Sequence, residues 1–338
     1  MTHKKQLVIP VFVPHEGCPY RCSFCNQEKI TGAEKKSDRK MLRETLRTHF
    51  REVDETPVTV KRELAFYGGS FTGIPVERQE YLLSSVQPWI ISGEIQSLRV
   101  STHALFIDNS RLSMLRQYHV KTVELGIQST DCEVLKLVGR ECPFNVVQSA
   151  VNTIRTMKFQ LGLQLMPGLP GDSEQKFLKS VMDVIELKPD FVRIYPTLVV
   201  KNTALYDMYR KGIYMPWDLE RMIEAVKEAM IKFNQAGIKV IRAGLHPDSS
   251  LMNNFVDGPF HPSFRYLVDS RIARERMIDK IRNLEQVPSS ITFKVPAKKI
   301  SQFLGHKKEN VAVLKNTFGM NSINFEQDGS SETLELVA

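Results

Sequence analysis

The stretch Gly17-Cys18-Pro19-Tyr20-Arg21-Cys22-Ser23-Phe24-Cys25-Asn26-Gln27 sets three cysteines in a C-x3-C-x2-C spacing, on a loop that follows the apolar run 7–13. Three thiolates so close on a turning loop can converge on one soft metal centre, and zinc and iron–sulfur clusters are the usual occupants. Either normally takes four protein ligands, and no fourth cysteine lies nearby. His15 would complete a zinc site. A [4Fe–4S] cluster with three irons held by protein accounts better for the spacing. It leaves the fourth iron open to chelate a substrate or cofactor.

Outward from this loop come four further segments: Phe66-Tyr67-Gly68-Gly69-Ser70-Phe71, Val123-Glu124-Leu125-Gly126-Ile127-Gln128-Ser129-Thr130-Asp131, Met166-Pro167-Gly168-Leu169-Pro170-Gly171 and Val192-Arg193-Ile194-Tyr195-Pro196-Thr197. With Phe24 standing before the last cysteine, the loop resembles the radical S-adenosylmethionine (SAM) signature. The five segments in order resemble the radical-SAM half of the Elongator catalytic subunit family, across residues 5–245. The resemblance implies an α/β fold, the partial (β/α)6 TIM-like barrel of radical-SAM enzymes, with a lateral mouth for a large substrate. It implies a [4Fe–4S] cluster on Cys18, Cys22 and Cys25, with SAM as second cofactor. It assigns Gly68, Gly69 and Ser70 to the methionine amino end of SAM, and the turn of Gly168 and Gly171 to the adenine. Phe24, Gln128, Ser129 and Tyr195 complete the cofactor-binding candidates. The implied chemistry is one-electron reduction of the sulfonium, which gives methionine and a 5′-deoxyadenosyl radical that abstracts hydrogen from a substrate.

Read without the resemblance, the same residues say less. A Gly-Gly turn lets backbone approach a ligand closely, but it also makes an ordinary strand-to-helix connection. Gln128 stands at the carboxyl end of a strand, where barrel enzymes gather their ligands, or else its amide caps backbone. Tyr195 is a phenol facing adenine or substrate, or a buried aromatic. The short, branched, apolar run 7–13 suits a buried parallel strand, and strands are also expected at 63–67, 97–101, 123–128 (which delivers Glu124 on one face), 160–166 and 191–195, with 238–245 closing the barrel side. Helices are expected over 76–88, 108–118, 144–157 and 218–233. In the last, Leu219, Met222, Ile223, Val226, Met230 and Phe233 form a core stripe. Asp108, and Asp172 or Ser173, suit helix caps. Cys132 and Cys142 stand alone and read as small buried hydrophobes.

A chain of 338 residues, 42% hydrophobic and 25% charged, holds one large α/β unit and a smaller one. No apolar stretch reaches the roughly 18 residues of a membrane span, and no signal-peptide core precedes the first strand. Five cysteines, three of them in one motif, indicate a reducing interior, so the expected location is cytoplasmic. The net charge of +8 permits polyanion binding without demanding it. Lys29, Lys35, Lys36, Arg39, Lys40, Arg43, Arg47, Arg51, Lys61 and Arg62 crowd one region, in which Met41, Leu42, Thr45, Leu46 and Phe50 recur at helical spacing. That is a barrel helix with a charged outer face, or an electrostatic footprint for nucleic-acid backbone.

Breaker-rich segments after residue 245 mark a boundary. They divide the chain into a barrel at 1–245, a linker and basic helix at 246–285, and a small α+β unit at 286–338. In the last, the segment from Ile300 to Asn310 weakly resembles a KH domain, whose G-x-x-G loop clamps nucleotide backbone. Gly305 is the first glycine, and Lys308 stands where the second belongs. A small cap with exposed lysines is the alternative. Elongator catalytic subunits pair their radical-SAM half with an acetyltransferase and modify the wobble uridine of tRNA. Here neither the length after residue 245 nor the cysteines after Cys142 suffice for that arrangement, so acetyl-CoA-driven carboxymethylation is not expected. The expected partners are RNA, in particular tRNA, and an external low-potential electron donor. A radical-SAM enzyme on a small metabolite or protein, and an RNA-binding protein with a structural cluster, are the alternatives.

Overall fold

The computed structural model describes residues 6–27, 39–53, 61–328 and 334–337. Its strands are, in chain order, β1 (Gln6–Phe12), β2 (Lys61–Tyr67), β3 (Ser97–Thr102), β4 (Val120–Gln128), β5 (Gln160–Leu165), β6 (Phe191–Ile194), β7 (Val199–Val200), β8 (Lys239–Ala243), β9 (Phe255–Asp257), β10 (Ser290–Pro296), β11 (Ser322–Asp328) and β12 (Glu335–Val337). Among the described residues β1 to β6 and β8 form one seven-stranded sheet in that order, with every pairing parallel. The six repeated strands and the closing strand expected from sequence are therefore one continuous sheet. Pro10 removes one ladder donor from β1, which an edge strand tolerates.

The strands alternate. Along β5, Leu161, Leu163 and Leu165 are buried in the apolar core with the surrounding helices, while Gln160, Gly162 and Gln164 stand on the other face. That second face is concave. Arg193, on β6, donates to the hydroxyl of Tyr67, on β2, at 2.6 Å. Four strand spacings in a flat sheet would separate those strands by about 19 Å, so the two long side chains meet only because the sheet curls.

The lower half of the lumen is filled by charge. Arg99 on β3 donates to Glu63 on β2 at 2.9 and 2.5 Å, and to Glu124 on β4 at 2.5 Å. Ser97 and Thr122 donate to the second oxygen of Glu63 at 3.3 and 3.0 Å. The ring of Phe191 covers the guanidinium, with 4.9 Å from its centroid to the guanidinium carbon. Gly162 is small because a Cβ there would lie 2.4 Å from that ring and 2.9 Å from Glu124.

The outer helices begin as side-chain chemistry requires: Asp108, Ser173 and Asp218 accept from the backbone N–H groups of Arg111, Lys176 and Arg221. The helix Arg39–Val53 buries Leu42 and Leu46 and exposes Lys40, Arg43 and Arg47; Lys29, Lys35 and Lys36 lie outside the described residues. Cys142 is buried, but Cys132 is exposed. The helix Cys132–Leu137 turns Val134 and Leu135 inward, which leaves its first residue to solvent.

The helix Phe264–Arg282 is shared. Phe264 and Val268 belong to the barrel core, while Ala273, Met277 and Ile281 belong to a second core with Ile291, Phe293, Phe303 and Leu314. In that smaller unit β10 pairs parallel with β11 and antiparallel with β12. Between barrel and helix, Arg271 donates to Glu220 and Glu224 at 2.6 and 2.5 Å, and buried Lys227 bonds Glu224 at 2.5 Å and also Glu275.

Removing Arg99 leaves two buried carboxylates facing each other. Arg99→Met is expected to lower unfolding stability by about 3–5 kcal/mol, measured by urea denaturation. The triple change Glu63→Leu, Arg99→Met, Glu124→Leu should recover most of that loss. A single-variant loss near zero would contradict the role given to this ion cluster.

Candidate active site

The cysteine loop leaves the carboxyl end of β1 and folds onto the turn that follows β2. Val13 N–H donates to Tyr67 O at 2.7 Å, His15 N–H to Gly68 O at 2.9 Å, and Ser70 N–H to Glu16 O at 2.9 Å. The seat is backbone against backbone. A Cβ on Gly17 would lie 2.3 Å from Ser70 O, one on Gly69 2.4 Å from Glu16 O, and one on Gly73 2.4 Å from Gly17 O. The bare Cα of Gly69 thus makes room for the cysteine loop. Gly68 has the other reason to be glycine, a φ of +91°.

Cys18, Cys22 and Cys25 are each partly buried, and each sulfur has a donor beside it. Ser70 Oγ lies 3.9 Å from Cys18 Sγ, Arg140 Nη1 3.7 Å from Cys22 Sγ, and Gln27 Nε2 3.4 Å from Cys25 Sγ. Burial pushes the Cys18 thiol up and that of Cys25 to about 12. Such thiolates form when a metal centre supplies the compensating charge. Among the described residues no three His, Cys, Asp or Glu side chains converge on the position of a single ion. His15 Nε2 instead accepts from Gln27 N–H at 3.2 Å. Three thiols on one loop, each with a hydrogen-bond donor beside its sulfur, are the donor chemistry of an iron–sulfur centre. The donor set fits the cluster.

Phe24 ties this loop to the far side of the mouth. It packs into the cluster of Val134, Val138 and Leu169 with Met166, and into that of Val199, Leu205 and Tyr214. The turn after β5 has Gly168 and Gly171 at φ +83° and +76°. Asp172 fixes it by accepting from Gly168 and Ser173 N–H at 2.8 and 2.9 Å, and burial raises this carboxyl to about 6. The Tyr214 hydroxyl donates to Gly168 O at 2.7 Å.

Above the ion-filled floor the lumen is lined by Tyr67, Gln128, Gln164, Arg193 and Tyr195. Gln128 sits at a break in the β4–β5 register with φ +68°, a conformation that costs a non-glycine residue about 1–3 kcal/mol. Its side-chain oxygen accepts from Gln164 Nε2 at 3.1 Å. Arg193 donates to Tyr195 Oη at 3.0 Å as well as to Tyr67. Its Nε is 3.1 Å from Glu124, an ion pair whose angle is too poor for a hydrogen bond. Ser129 is not part of this wall. Its hydroxyl lies against Ser180 Oγ at 3.3 Å and accepts from Asp131 N–H at 3.1 Å, bracing the helix Glu174–Glu186 outside the lumen.

Sequence reasoning brought out the turns and, of the wall, Gln128 and Tyr195 only. Glu63, Tyr67, Arg99, Gln164 and Arg193 occupy every-second positions of strands whose facing the sequence reading leaves unassigned at these residues. That period of two was the available signal. Arg140, which reaches Cys22 and also donates to Gly126 O on β4, had no local signal.

Against this geometry, the family model of the Radical SAM superfamily matches residues 12–184, and that of the Radical SAM C-terminal domain residues 189–274. The tRNA uridine(34) acetyltransferase of Methanocaldococcus infernus is 27% identical over 191 residues, covering 51% of this chain and 36% of that protein. The protein of the same name from Methanocaldococcus jannaschii is 25% identical over 259 residues, covering 66% and 48%. The chain therefore spans less than half the length of these curated relatives. The solved structure of archaeal M. infernus Elp3 with an N-terminal deletion superposes with a TM-score of 0.62 at 20% identity, over 82% of this chain and 64% of that one. The superfamily match takes in the cysteine loop, the Gly68–Ser70 turn and the Gly168 turn, so the chain belongs to the Radical SAM superfamily and is a radical-SAM enzyme, with a [4Fe–4S] cluster and SAM as its cofactors.

Proposed function

We propose that this enzyme uses radical SAM chemistry to modify RNA, specifically tRNA, with Cys18, Cys22 and Cys25 as the cluster's protein ligands. The observation that carries the reading is the seating of the three-cysteine loop on the Gly68–Ser70 turn, at the mouth of an incomplete barrel with a polar lumen. When bound, the two cofactors supply a 5′-deoxyadenosyl radical. The chain's own residues orient and shield. Gly68, with no side chain, lets the methionine end of SAM approach the turn, which Ser70 holds against the cysteine loop through its backbone. The Gly168–Gly171 turn and the backbone beside Phe24 flank the adenine. Gln128, Tyr195 and Arg193 present donors and acceptors where a substrate enters.

The RNA part of the reading rests on similarity to proteins named tRNA uridine(34) acetyltransferase and on one loop. Lys307 and Lys308 are exposed and stand at φ +49° and +63°, left-handed conformations that cost lysine about 1–2 kcal/mol each. Lys308 thus adopts the backbone that a second glycine would supply. Gly305 serves packing, since a Cβ there would lie 2.8 Å from Asn310 Cγ. Asn310 is buried and donates to Ser270 O and Gln302 O at 3.0 Å. Glu309, the acid beside the lysines, is held 3.0 Å from Arg274, which leaves the lysine charges unopposed on the loop.

Anaerobically reconstituted protein is expected to bind about four irons and four sulfides. Cys18→Ala, Cys22→Ala or Cys25→Ala should each abolish SAM cleavage, whereas Cys132→Ala and Cys142→Ala should retain it. Stoichiometric zinc, with no 5′-deoxyadenosine under dithionite, would overturn the assignment.

Gly69→Ala is expected to reduce cluster absorbance and SAM affinity together, because the added methyl displaces the cysteine loop. Loss of SAM affinity with the cluster intact would show that the seat is elsewhere.

Replacing Lys307 and Lys308 by Glu should weaken tRNA binding and flatten its salt dependence, by about 0.7–0.9 in log–log slope per lysine. Nucleoside analysis of a deletion strain should show one modified tRNA nucleoside missing. An unchanged nucleoside profile, with parental tRNA binding by the double variant, would sink the RNA reading.

A further inference from the structure

Arg140 is a buried cation, 8% exposed, with no carboxylate partner among the described residues. Its guanidinium is committed elsewhere: Nη1 donates to Cys22 Sγ at 3.7 Å, Nη2 donates to Gly126 O, and Nε has no partner. A buried charge is strongly destabilising unless an opposite charge meets it. The cavity that Arg140 lines with Gly126, Ser129, Leu135 and Cys142 is about 10 Å³, room for one water at most. The opposite charge therefore has to come from the sulfur side.

The ionisable neighbours do not supply it. Burial, and then the charge of Arg140, pull the His103 imidazole down to about 3, so that it stays neutral. Its Nδ1 accepts from Leu105 N–H at 3.2 Å, which places its proton on Nε2, a second buried donor without a partner. Burial pushes the Cys142 thiol up, and Glu16 is committed to Arg78 at 3.1 Å. Burial raises the Cys18 and Cys25 thiols, while the charge of Arg140 acts on both in the opposite direction. The segment around Arg140 also grips the cysteine loop on either side of Cys22. Ser23 N–H donates to Val138 O at 2.9 Å, and the Tyr20 hydroxyl donates to Glu141 O at 2.5 Å, with the Tyr20 ring 5.5 Å from that of His103.

We propose that Arg140 is a positioning residue that sets the reduction potential of the iron–sulfur centre: its charge, fixed against Cys22 Sγ, is neutralised by the centre and raises that potential. The proposal rests on the reading of Cys18, Cys22 and Cys25 as cluster ligands. Reduction adds one electron to a centre already ligated by thiolates. No proton moves, and no bond to this chain is made or broken. A cation beside one of the sulfurs stabilises the more negative, reduced centre more than the oxidised one, and burial keeps that interaction poorly screened. The backbone contacts on either side of Cys22 hold charge and sulfur in one geometry, so the effect is built into the fold.

The test is a redox titration of the reconstituted protein without SAM, poised with dithionite and followed by electron paramagnetic resonance, in the parent, Arg140→Met, Arg140→Gln and Arg140→Lys. At a given potential the two neutral variants should lower the ratio of reduced to oxidised centre at least ten-fold, a shift of about 59 mV for one electron. Arg140→Lys keeps the charge and loses the fork, and it should recover most of that shift. Neutral variants that load no iron while Arg140→Lys loads fully would also support the proposal, since the cation would then be needed to hold the centre. Parental potentials in the neutral variants would overturn it, and a loss of SAM affinity alongside would reassign Arg140 to that ligand. Equal shifts in all three variants, or loss of iron from all three, would overturn it as well, because geometry and not charge would then be at work. A parent that holds no iron would refute the ligand assignment and this role with it, whereas a loaded parent whose potential the variants leave unmoved refutes the role alone.

Discussion

The site depends on a contact between two stretches of bare backbone. Gly17 meets Ser70 O and Gly69 meets Glu16 O with no room for a methyl group between them. The loop that carries three cysteines, with only a few hydrogen bonds of its own, is positioned by the sheet through this contact. The turn after β2 is positioned by the loop in return. Phe24 extends the same arrangement across the mouth to the turn after β5. Three segments far apart in sequence therefore form one rim.

Below the rim the lumen changes character. Glu63, Arg99 and Glu124 are among the most buried charges in the molecule, and with Phe191 they close the barrel from beneath. Neutralised pairwise, they act as a rigid plug, and a plug of polar side chains holds the next layer at defined hydrogen-bonding distances. Glu124 positions Arg193, and Arg193 holds both Tyr67 and Tyr195. The open half of the lumen is thus a polar surface whose donors and acceptors are set from below. Such preorganisation suits a site that must hold a reactive species in one orientation.

The sequence carried the frame of this arrangement and little of its interior. Strands and turns were legible because apolar runs end in glycines, prolines and cysteines, whose backbone and ligand chemistry is specific. Of the ion plug only Glu124 was legible, as a residue delivered on one face of its strand, while Glu63 and Arg99, which share that face of the sheet, carried no signal beyond their every-second positions. A Gly-Gly turn suggests ligand approach, but the crowding that requires Gly69 comes from Val13 and Glu16, more than fifty residues earlier. Arg140 reaches Cys22 across 118 positions. No local pattern announces such a contact. Cys132 shows the converse error, since a rule about isolated cysteines gave way to the facing of one short helix.

The helix Phe264–Arg282 contributes its first half to one core and its second half to another. Its 19 residues span about 28 Å, and Arg271 and Lys227 clamp its middle to the barrel. Two units that share an unbroken helix have no hinge between them. The Gly305–Lys308 loop is thereby kept at a fixed distance from the barrel, so that on the RNA reading proposed above the pair would act as a caliper, measuring a substrate by length as well as by chemistry.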